Sequence, residues 1–288
     1  MIRGLESALA SHKILKCRVA CYWYLPNWCL LRPSGGPEDI RRAPWSSQRR
    51  SRCAVTASKQ EINWTNAFIT STKPAAEGLQ SVTVDIGKLA GDYKKPGQFI
   101  QVRVNGSKPG FFAIASPPDE NNQGLVELLI KRQGETAEAI CSVAEGGNVD
   151  VSHVMGKGFP MDKAPHETIK ELLIFATGSG ISPIRSLIES GIIQADKRKA
   201  VRLYYGTKNE SHTAFRNRIP DWQDMGVTVK HVYSDEDRGY VQQIFKEDQA
   251  PEANVTAAIL AGQKDMADTV IHELTSLGVD KDLILTNF

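Results

Sequence analysis

Hydrophobic and polar positions alternate in short stretches between residues 61 and 159 of this 288-residue chain. Short alternating stretches, such as residues 80–86, 98–104 and 125–130, are separated by Gly, Pro, Asn and Asp. Alternation with a period of two is typical of half-buried strands, and closely spaced strands with turn residues between them indicate an antiparallel barrel or sandwich. The pattern alone does not say what such a domain binds.

The C-terminal part of the chain, from about residue 168, shows a different hydrophobic pattern. Apolar runs at residues 172–176, 200–206, 227–233 and 257–261 alternate with segments of helical spacing. This alternation predicts a parallel sheet covered by helices, whose ligand binds at the carboxyl ends of the strands.

The junction after the run 172–176 carries the strongest candidate chemistry. Gly178 and Gly180 interrupt the apolar run, and helical spacing resumes after Ser182 and Pro183. The first amides of a helix lack intrahelical acceptors and carry the positive end of its dipole, so a phosphate can bind there. Proline suits a first helical turn because it has no amide hydrogen to leave unpaired. An ordinary strand-to-helix turn, with glycine for geometry alone, is the alternative.

Charge separates the first 56 residues from the rest. They hold ten Lys or Arg and three acids, whereas residues 57–288 hold 25 basic and 30 acidic residues. An Arg-rich, acid-poor segment is typical of an organellar transit peptide, and we expect residues 1–56 to be a disordered chloroplast presequence that directs the protein to the stroma. A mitochondrial address, a secretory signal at residues 20–31 and a basic tail are the alternatives. The mildly acidic remainder argues against nucleic acid as a partner.

Cysteine and histidine spacing gives no metal site. Four of the five cysteines lie in the first 56 residues and lack C-x-x-C spacing, and the six histidines show no H-E-x-x-H pattern. No apolar run of 18 residues predicts a transmembrane helix. Redox chemistry, if present, would require an organic cofactor.

The strand-to-helix turn resembles the T-G-x-G-I-x-P-[FIM]-R-S signature of the ferredoxin–NADP reductase-like flavin oxidoreductases, including plastid members of plants. The match consists of Thr177, Gly178, Gly180, Ile181, Pro183, Arg185 and Ser186, with Ser182 between them. Such a resemblance implies a six-stranded antiparallel flavin-binding β-barrel at 59–163 and a Rossmann-like parallel α/β domain that binds NAD(P) at 168–288.

Two blocks of the front domain resemble the family's flavin segments. Phe112 would stack on the flavin ring and Ala113 would face its reactive nitrogen; Ile114 and Ser116 follow in the same block. The second block comprises Ile130, Lys131, Gly134 and Thr136, which would meet the flavin diphosphate. FAD is expected, and FMN remains open. Gly110 replaces an arginine that binds the flavin phosphate in the family, so that contact is not expected here. Ala113 replaces a hydroxyl residue that tunes the flavin, so turnover is expected to be slow.

The rear domain supplies the remaining candidates. Gly206, Thr207 and Lys208 follow a predicted strand where the family binds adenosine, and Gly262 and Met266 belong to its segment near the nicotinamide, where Ala261 replaces a cysteine. Lys208, together with Arg216 or Arg218, would bind the 2′-phosphate of NADPH. Alternatively, these three residues are solvated surface cations. The sequence therefore favours NADPH over NADH but does not decide between them. The terminal Phe288 would stack on the flavin or fill the domain interface.

The resemblance implies an NAD(P)H-dependent flavin oxidoreductase that passes electrons to an acceptor the sequence does not identify. The departures at positions 110, 113 and 261 leave a second interpretation, a flavin- or nucleotide-binding regulatory module of the plastid with weakened turnover. The sequence does not indicate an oligomeric state.

Overall fold

The computed structural model describes residues 62–119, 124–236 and 239–287. The predicted presequence and Phe288 lie outside the described residues.

Six strands of the front domain form one antiparallel sheet in the described residues, in the order β4-β3-β6-β1-β2-β5. Their bounds are β1 Thr65–Ala76, β2 Leu79–Asp85, β3 Phe99–Arg103, β4 Gly110–Ala113, β5 Leu125–Lys131 and β6 Asn148–Val151. An antiparallel bridge from Ile114 to Leu128 joins the end of β4 to β5, and the amide of Ala115 donates to the Glu127 carbonyl at 2.7 Å. These contacts join the two edge strands, so the sheet closes into a barrel.

A short helix, α1 (Glu135–Cys141), packs against the barrel core through Ala137 and Ile140. The core is built from the inward-facing residues of the alternating pattern, among them Ile100, Val102 and Leu128. The alternation predicted from the sequence therefore corresponds to one buried face per strand.

Five strands of the rear domain form a parallel sheet in the order β11-β10-β7-β8-β9 within the described residues. The strands are β7 Glu171–Thr177, β8 Ala200–Thr207, β9 Val227–Tyr233, β10 Thr256–Ala261 and β11 Ile284–Leu285. The helices are α2 Ile181–Glu189, α3 Ile219–Asp224, α4 Val241–Glu247 and α5 Lys264–Ser276.

Both faces of this sheet are covered. Leu172 and Ile174 of β7 pack in one cluster with α2, whereas Leu173 and Phe175 pack in a second cluster with α5. Burial on both faces explains why β7 reads as a continuous apolar run. The predicted fold class, a barrel followed by a Rossmann-like α/β domain, is confirmed.

A buried arginine secures the segment that leads from the barrel into the parallel sheet. The guanidinium of Arg198 donates to the carbonyls of Ile193 (2.7 Å), Ile169 (2.7 Å) and Ala164 (2.8 Å). Burial lowers the pKa of Arg198 from its usual value, and an arginine keeps its charge despite such a shift. This side chain therefore satisfies three loop carbonyls and positions the start of the rear domain.

Candidate functional site

The glycine turn lies at the carboxyl end of the central strand β7. Thr177 ends the strand, Gly178–Gly180 forms a single 3-10 turn, and α2 begins at Ile181 without an acidic residue in its first turn. Gly178 has φ +51°, and a Cβ added there would meet nothing within 4 Å. The turn therefore has an open side at Gly178, and the first turn of α2, at the positive end of the helix dipole, carries no carboxylate; both features fit a diphosphate.

The second glycine has a different physical role. A Cβ at Gly180 would collide with the carbonyl of Ala261 and lie 2.7 Å from the Cα of Gly262. The Thr177 hydroxyl accepts a bond from the amide of Gln263 at 2.9 Å, and Gly262, at φ +142°, leaves no room for a side chain beside Thr177. The turn is thus seated directly on the end of β10, which only glycine at 180 and 262 permits.

The glycine turn also contacts the barrel through Ser182. The Ser182 hydroxyl donates to the carbonyl of Ala113, at the end of β4, at 2.9 Å. This bond brings the predicted phosphate-binding turn and the predicted flavin-facing strand end together, although 69 residues separate them in the sequence.

Two further contacts hold α2 against the barrel. The buried Tyr93 hydroxyl lies 2.5 Å from the hydroxyl of Ser186 and donates to the Ser116 carbonyl at 2.7 Å. Arg185 forms an ion pair with Glu127 of β5 at 2.7 Å. Burial raises the pKa of Tyr93 far above its usual value, so the phenol stays protonated and hydrogen-bonded.

The side chain of Phe112 lies over the backbone of Gly110. A Cβ at Gly110 would be 2.7 Å from the Phe112 ring and 3.3 Å from the Thr136 methyl group. The ring therefore occupies the space that a side chain at position 110 would need. Phe112 also packs against the barrel core, and it keeps part of its surface accessible.

The other predicted flavin residues fall into two groups. The side chains of Ile114 and Ile130 are fully buried in the barrel core, so only their backbones can reach a cofactor. Ser116 is engaged in the barrel, where its hydroxyl accepts from the Glu127 amide at 3.0 Å. Lys131 is exposed beside the turn at Gly134, which has φ +90° and open space around it. The hydroxyl of Thr136 donates to the Lys108 carbonyl at 3.0 Å.

These residues fit a flavin ring better than they fit its diphosphate. Phe112 offers an aromatic face and Gly134 an open backbone. The first turn of α1, however, carries Glu135 and Glu138, and Arg132 is paired with Glu138 at 2.8 Å. A bound diphosphate would rely on backbone amides and Lys131 rather than on a bidentate arginine.

The candidates at the end of β8 are close to the glycine turn. A Cβ at Gly206 would meet Val241 at 2.8 Å and the Thr177 methyl group at 3.3 Å. The Thr207 hydroxyl pairs with that of Thr213 at 2.9 Å and is buried. Lys208 remains exposed and lies 3.8 Å from a carboxylate oxygen of Asp235.

The proposed 2′-phosphate cations all have carboxylate partners. Besides the Lys208 pair, Arg216 pairs with Glu210, and Arg218 pairs with Glu189 at 2.9 Å. Met266, the last candidate, is buried in the cluster on the α5 face of the sheet, so its side chain belongs to the core of the rear domain.

Two further aromatic groups of the rear domain, Tyr240 and His231, were not among the predicted site residues. Tyr240 directly precedes α4 as its N-cap residue; 60% of its surface is exposed, and its amide donates to the Gln243 side chain at 2.7 Å. His231 lies between Tyr205 and Tyr233, with ring centroids at 6.2 and 5.9 Å. Residues 239–241 resemble a motif of the reductase family, which marks Tyr240 in the sequence, whereas no local pattern marks His231.

The described residues contain no cluster of three or more His, Cys, Asp or Glu side chains that could hold a metal ion. Within the same part of the chain, no helix has the length and apolar character needed to cross a bilayer.

The chain is similar to known proteins in sequence and in fold. Residues 174–272 match the family described as an oxidoreductase NAD-binding domain. The fruit protein pKIWI502 of Actinidia deliciosa is 36% identical over 251 residues, which cover 80% of this chain and 79% of that protein. The sulfhydrogenase 2 gamma subunit of Pyrococcus furiosus is 27% identical over 204 residues, or 64% of this chain and 68% of that subunit.

Solved structures show the same fold at low identity. A ferredoxin NADP+ reductase from Neisseria gonorrhoeae with bound FAD and NADP aligns with a TM-score of 0.64 at 16% identity, covering 76% of this chain and 93% of that one. The CS-b5R domains of human Ncb5or in the NAD+ form align with a TM-score of 0.64 at 16% identity, covering 81% and 71%.

A two-domain fold with a barrel and a glycine turn at the end of β7 defines the class as a dinucleotide-binding reductase fold. The chain belongs to the ferredoxin–NADP reductase-like superfamily of flavin oxidoreductases.

Proposed function

We propose that the protein is an NAD(P)H-dependent flavin oxidoreductase that passes reducing equivalents to a separate acceptor. The observation that carries this proposal is the hydrogen bond from Ser182 to the Ala113 carbonyl, because it joins the turn proposed to bind the nucleotide to the end of β4 proposed to face the flavin. A nicotinamide and a flavin ring held at these two segments would share one interface.

The division of labour follows from the residues. The amides of the Gly178–Gly180 turn would hold the dinucleotide diphosphate, and the partly accessible ring of Phe112 would hold the flavin ring by stacking. The flavin, when bound, supplies the hydride acceptor. Tyr93, Arg185 and Ser182 keep the two binding segments in register, which is the contribution expected of a protein that positions a cofactor.

The test begins with the colour of the purified full chain. We expect a yellow protein that releases FAD on denaturation and is bleached anaerobically by NADH or NADPH. Ser182→Ala removes the bond to Ala113 and should slow bleaching with little change in flavin content. Thr275→Ala is a matched control, since the Thr275 hydroxyl donates to the carbonyls of Ile271 and His272 within its own helix α5. A colourless protein that takes up neither FAD nor FMN would disprove the proposal.

We further propose that the protein acts in the chloroplast stroma, with the mitochondrion as the alternative. The charge and composition of residues 1–56 support this location. A fluorescent reporter fused to residues 1–56 should enter plastids; a reporter that stays in the cytosol or enters the secretory pathway would contradict it.

A second candidate function is a binding or regulatory module with weakened turnover. Three positions favour it, because the side chains that bind phosphate or tune hydride transfer in the family are absent there. These positions are Gly110, Ala113 and Ala261. The two candidates differ in one measurement: stopped-flow reduction by excess nucleotide is complete within about a second for a working reductase, at the usual turnover of enzymes. A protein that binds both cofactors and is reduced over many minutes supports the module.

A further inference from the structure

The loop that follows β8, residues 208–213, borders the proposed nucleotide site. Gly206, near the end of β8, pairs with Thr177 at the end of β7, so the loop begins beside the glycine turn. In a Rossmann-like sheet the ligand lies across the carboxyl ends of neighbouring strands. With the nicotinamide held beside Ala113, the adenosine half of a dinucleotide would extend over this loop.

A buried phenol joins the end of this loop to the glycine turn. The amide of Ala214, directly after the loop, donates to the Tyr205 hydroxyl at 3.1 Å, and that hydroxyl lies 3.5 Å from the Gly178 carbonyl. Tyr205 is fully buried, and burial raises the pKa of its phenol well above the usual value, so the phenol stays protonated. The position of the loop is therefore linked to the turn as well as to the adenosine half.

Side chains within the loop give it a defined shape around Asn209. The hydroxyls of Thr207 and Thr213 each donate to the Asn209 carbonyl at 3.1 Å. The amide of His212 donates to the Asn209 side chain at 3.3 Å. These bonds shape the loop but do not fix its place relative to the barrel.

The tip of the β1–β2 hairpin holds the loop from the barrel side. The amide of Glu77 donates to the Ser211 carbonyl at 2.8 Å, and the Ser211 hydroxyl donates to the Glu77 carboxylate at 2.6 Å. Nδ1 of His212 lies 3.7 Å from the same carboxylate oxygen. The bond from Ser211, and secondarily the charge of His212, lowers the pKa of Glu77, so its carboxylate is ionised at neutral pH. These bonds join residues 134 positions apart.

The hairpin tip is itself anchored in the barrel. The Gly78 carbonyl accepts from the Arg132 amide at 2.9 Å, and Leu79 pairs with Lys131 of β5. The tip therefore rests on the segment that leads into the turn at Gly134, and its backbone is fixed by the β2–β5 pairing. Glu77 thus projects from a rigid support.

We infer that Glu77 is a positioning residue for nucleotide binding, which braces loop 208–213 so that the barrel contributes to the affinity for the adenosine half. The inference rests on the proposed function and adds to it a residue outside both cofactor segments. Glu77 acts through Ser211 rather than on the nucleotide itself. Without this brace, part of the binding free energy is spent on ordering the loop.

Binding measurements on the full-length protein test the inference. In isothermal titration, Glu77→Ala should weaken NADH, NADPH and 5′-AMP alike by about three- to fivefold, the range expected for one exposed charge-assisted contact. The flavin content, the melting temperature and the rate of flavin reduction at saturating NADH should keep their wild-type values, because bound nucleotide orders the loop. Glu77→Gln keeps an oxygen that accepts from Ser211 and should retain most of the affinity.

Two further variants separate the brace from a general effect of charge or stability. Ser211→Ala removes the other partner, so it should weaken the three nucleotides as Glu77→Ala does, and the double variant should be no weaker than either single variant. Glu145→Ala is the matched control, since Glu145 is also an exposed glutamate but accepts from the Thr72 amide, at 3.2 Å, within the barrel. This control should bind all three nucleotides as the wild type does.

The outcomes distinguish this inference from the proposed function. If Glu77→Ala binds 5′-AMP as tightly as the wild type, or if Glu145→Ala weakens binding equally, the inference is wrong while the proposed function stands. The same conclusion follows if Glu77→Ala loses flavin together with nucleotide affinity, because the residue then has a general structural role. If the wild type binds none of the three nucleotides, both fall.

Discussion

Replacing each glycine of the β7 turn by alanine should separate its two physical roles. At Gly180 a Cβ would collide with the carbonyl of Ala261 and approach Gly262 to 2.7 Å, and these are backbone atoms that cannot rotate away. At Gly178 the same Cβ would meet nothing within 4 Å, and only the positive φ of +51° is unfavourable. The two substitutions add the same methyl group two residues apart.

The expected magnitudes differ accordingly. Overpacking against a fixed backbone costs about 3 kcal/mol, so Gly180→Ala should lower the melting temperature by about 6 to 12 °C for a domain of this size. A left-handed conformation costs alanine about 1 kcal/mol, so Gly178→Ala should lower it by about 2 to 4 °C. A valine at position 180 would collide with the same backbone atoms and is larger than alanine. It would therefore displace the turn from the end of β10 and also hinder the binding of a phosphate.

Nucleotide binding gives the second measurement. Gly178→Ala places its methyl group on the open face of the turn and should weaken NADH binding about tenfold while flavin content stays normal. Gly180→Ala should lose nucleotide binding and flavin together, because displacement of the turn also moves Ser182 away from Ala113. Melting curves by circular dichroism, with flavin released on denaturation, measure both effects. Equal stability losses in the two variants, or a Gly180→Ala protein as stable as the wild type, would refute the reasoning.

Three further outcomes are expected from contacts elsewhere in the chain. Gly110→Arg should lower the melting temperature and not improve flavin retention, because its Cβ collides with the Phe112 ring; if that collision is the cause, Gly110→Arg should cost less stability in a Phe112→Ala background than in the wild type. Arg198→Met leaves three loop carbonyls unpaired and should cost about 3 kcal/mol in urea unfolding, with a partial loss for Arg198→Lys. Burial, and secondarily Arg216, lowers the pKa of His231 below its usual 6.5. The unfolded state then binds the proton first, so stability should fall as pH drops below 6.5, and His231→Phe should flatten that dependence in urea titrations at pH 7 and 5.

Short sequence patterns predicted those parts of the site that are formed by residues close together in the chain. The apolar run of β7, the glycines after it and the helical spacing of Ile184 and Leu187 together specify a strand, a turn and a helix, and the structure has all three in that order. The parallel sheet followed from apolar runs because both of its faces are buried.

Contacts between distant segments were not predictable in the same way. In the sequence Lys208 is simply a basic residue after a predicted strand, and no neighbouring residue indicates that it will pair with Asp235. The parallel pairing of β8 with β9 brings these two residues together, although they are 27 positions apart. The same holds for Gly180, whose neighbour Ala261 arrives from β10. A glycine motif identifies a tight approach without saying what approaches.

The positions that depart from the family pattern bear on the choice between the two proposed functions. A site that had lost its role by drift would be expected to contain gaps and unpaired groups. Instead, the space above Gly110 is filled by the Phe112 ring, and the carbonyl of Ala113 is bonded by Ser182 of the opposite domain. Gly178 has a positive φ, and a Cβ at this position would contact no atom of the described residues within 4 Å, so close packing does not require glycine here. A glycine conformation kept at an open turn, together with the filled and hydrogen-bonded positions beside it, favours the first of the two proposed functions. Restoring single family residues at 110 or 113 should therefore disturb this site more than it helps.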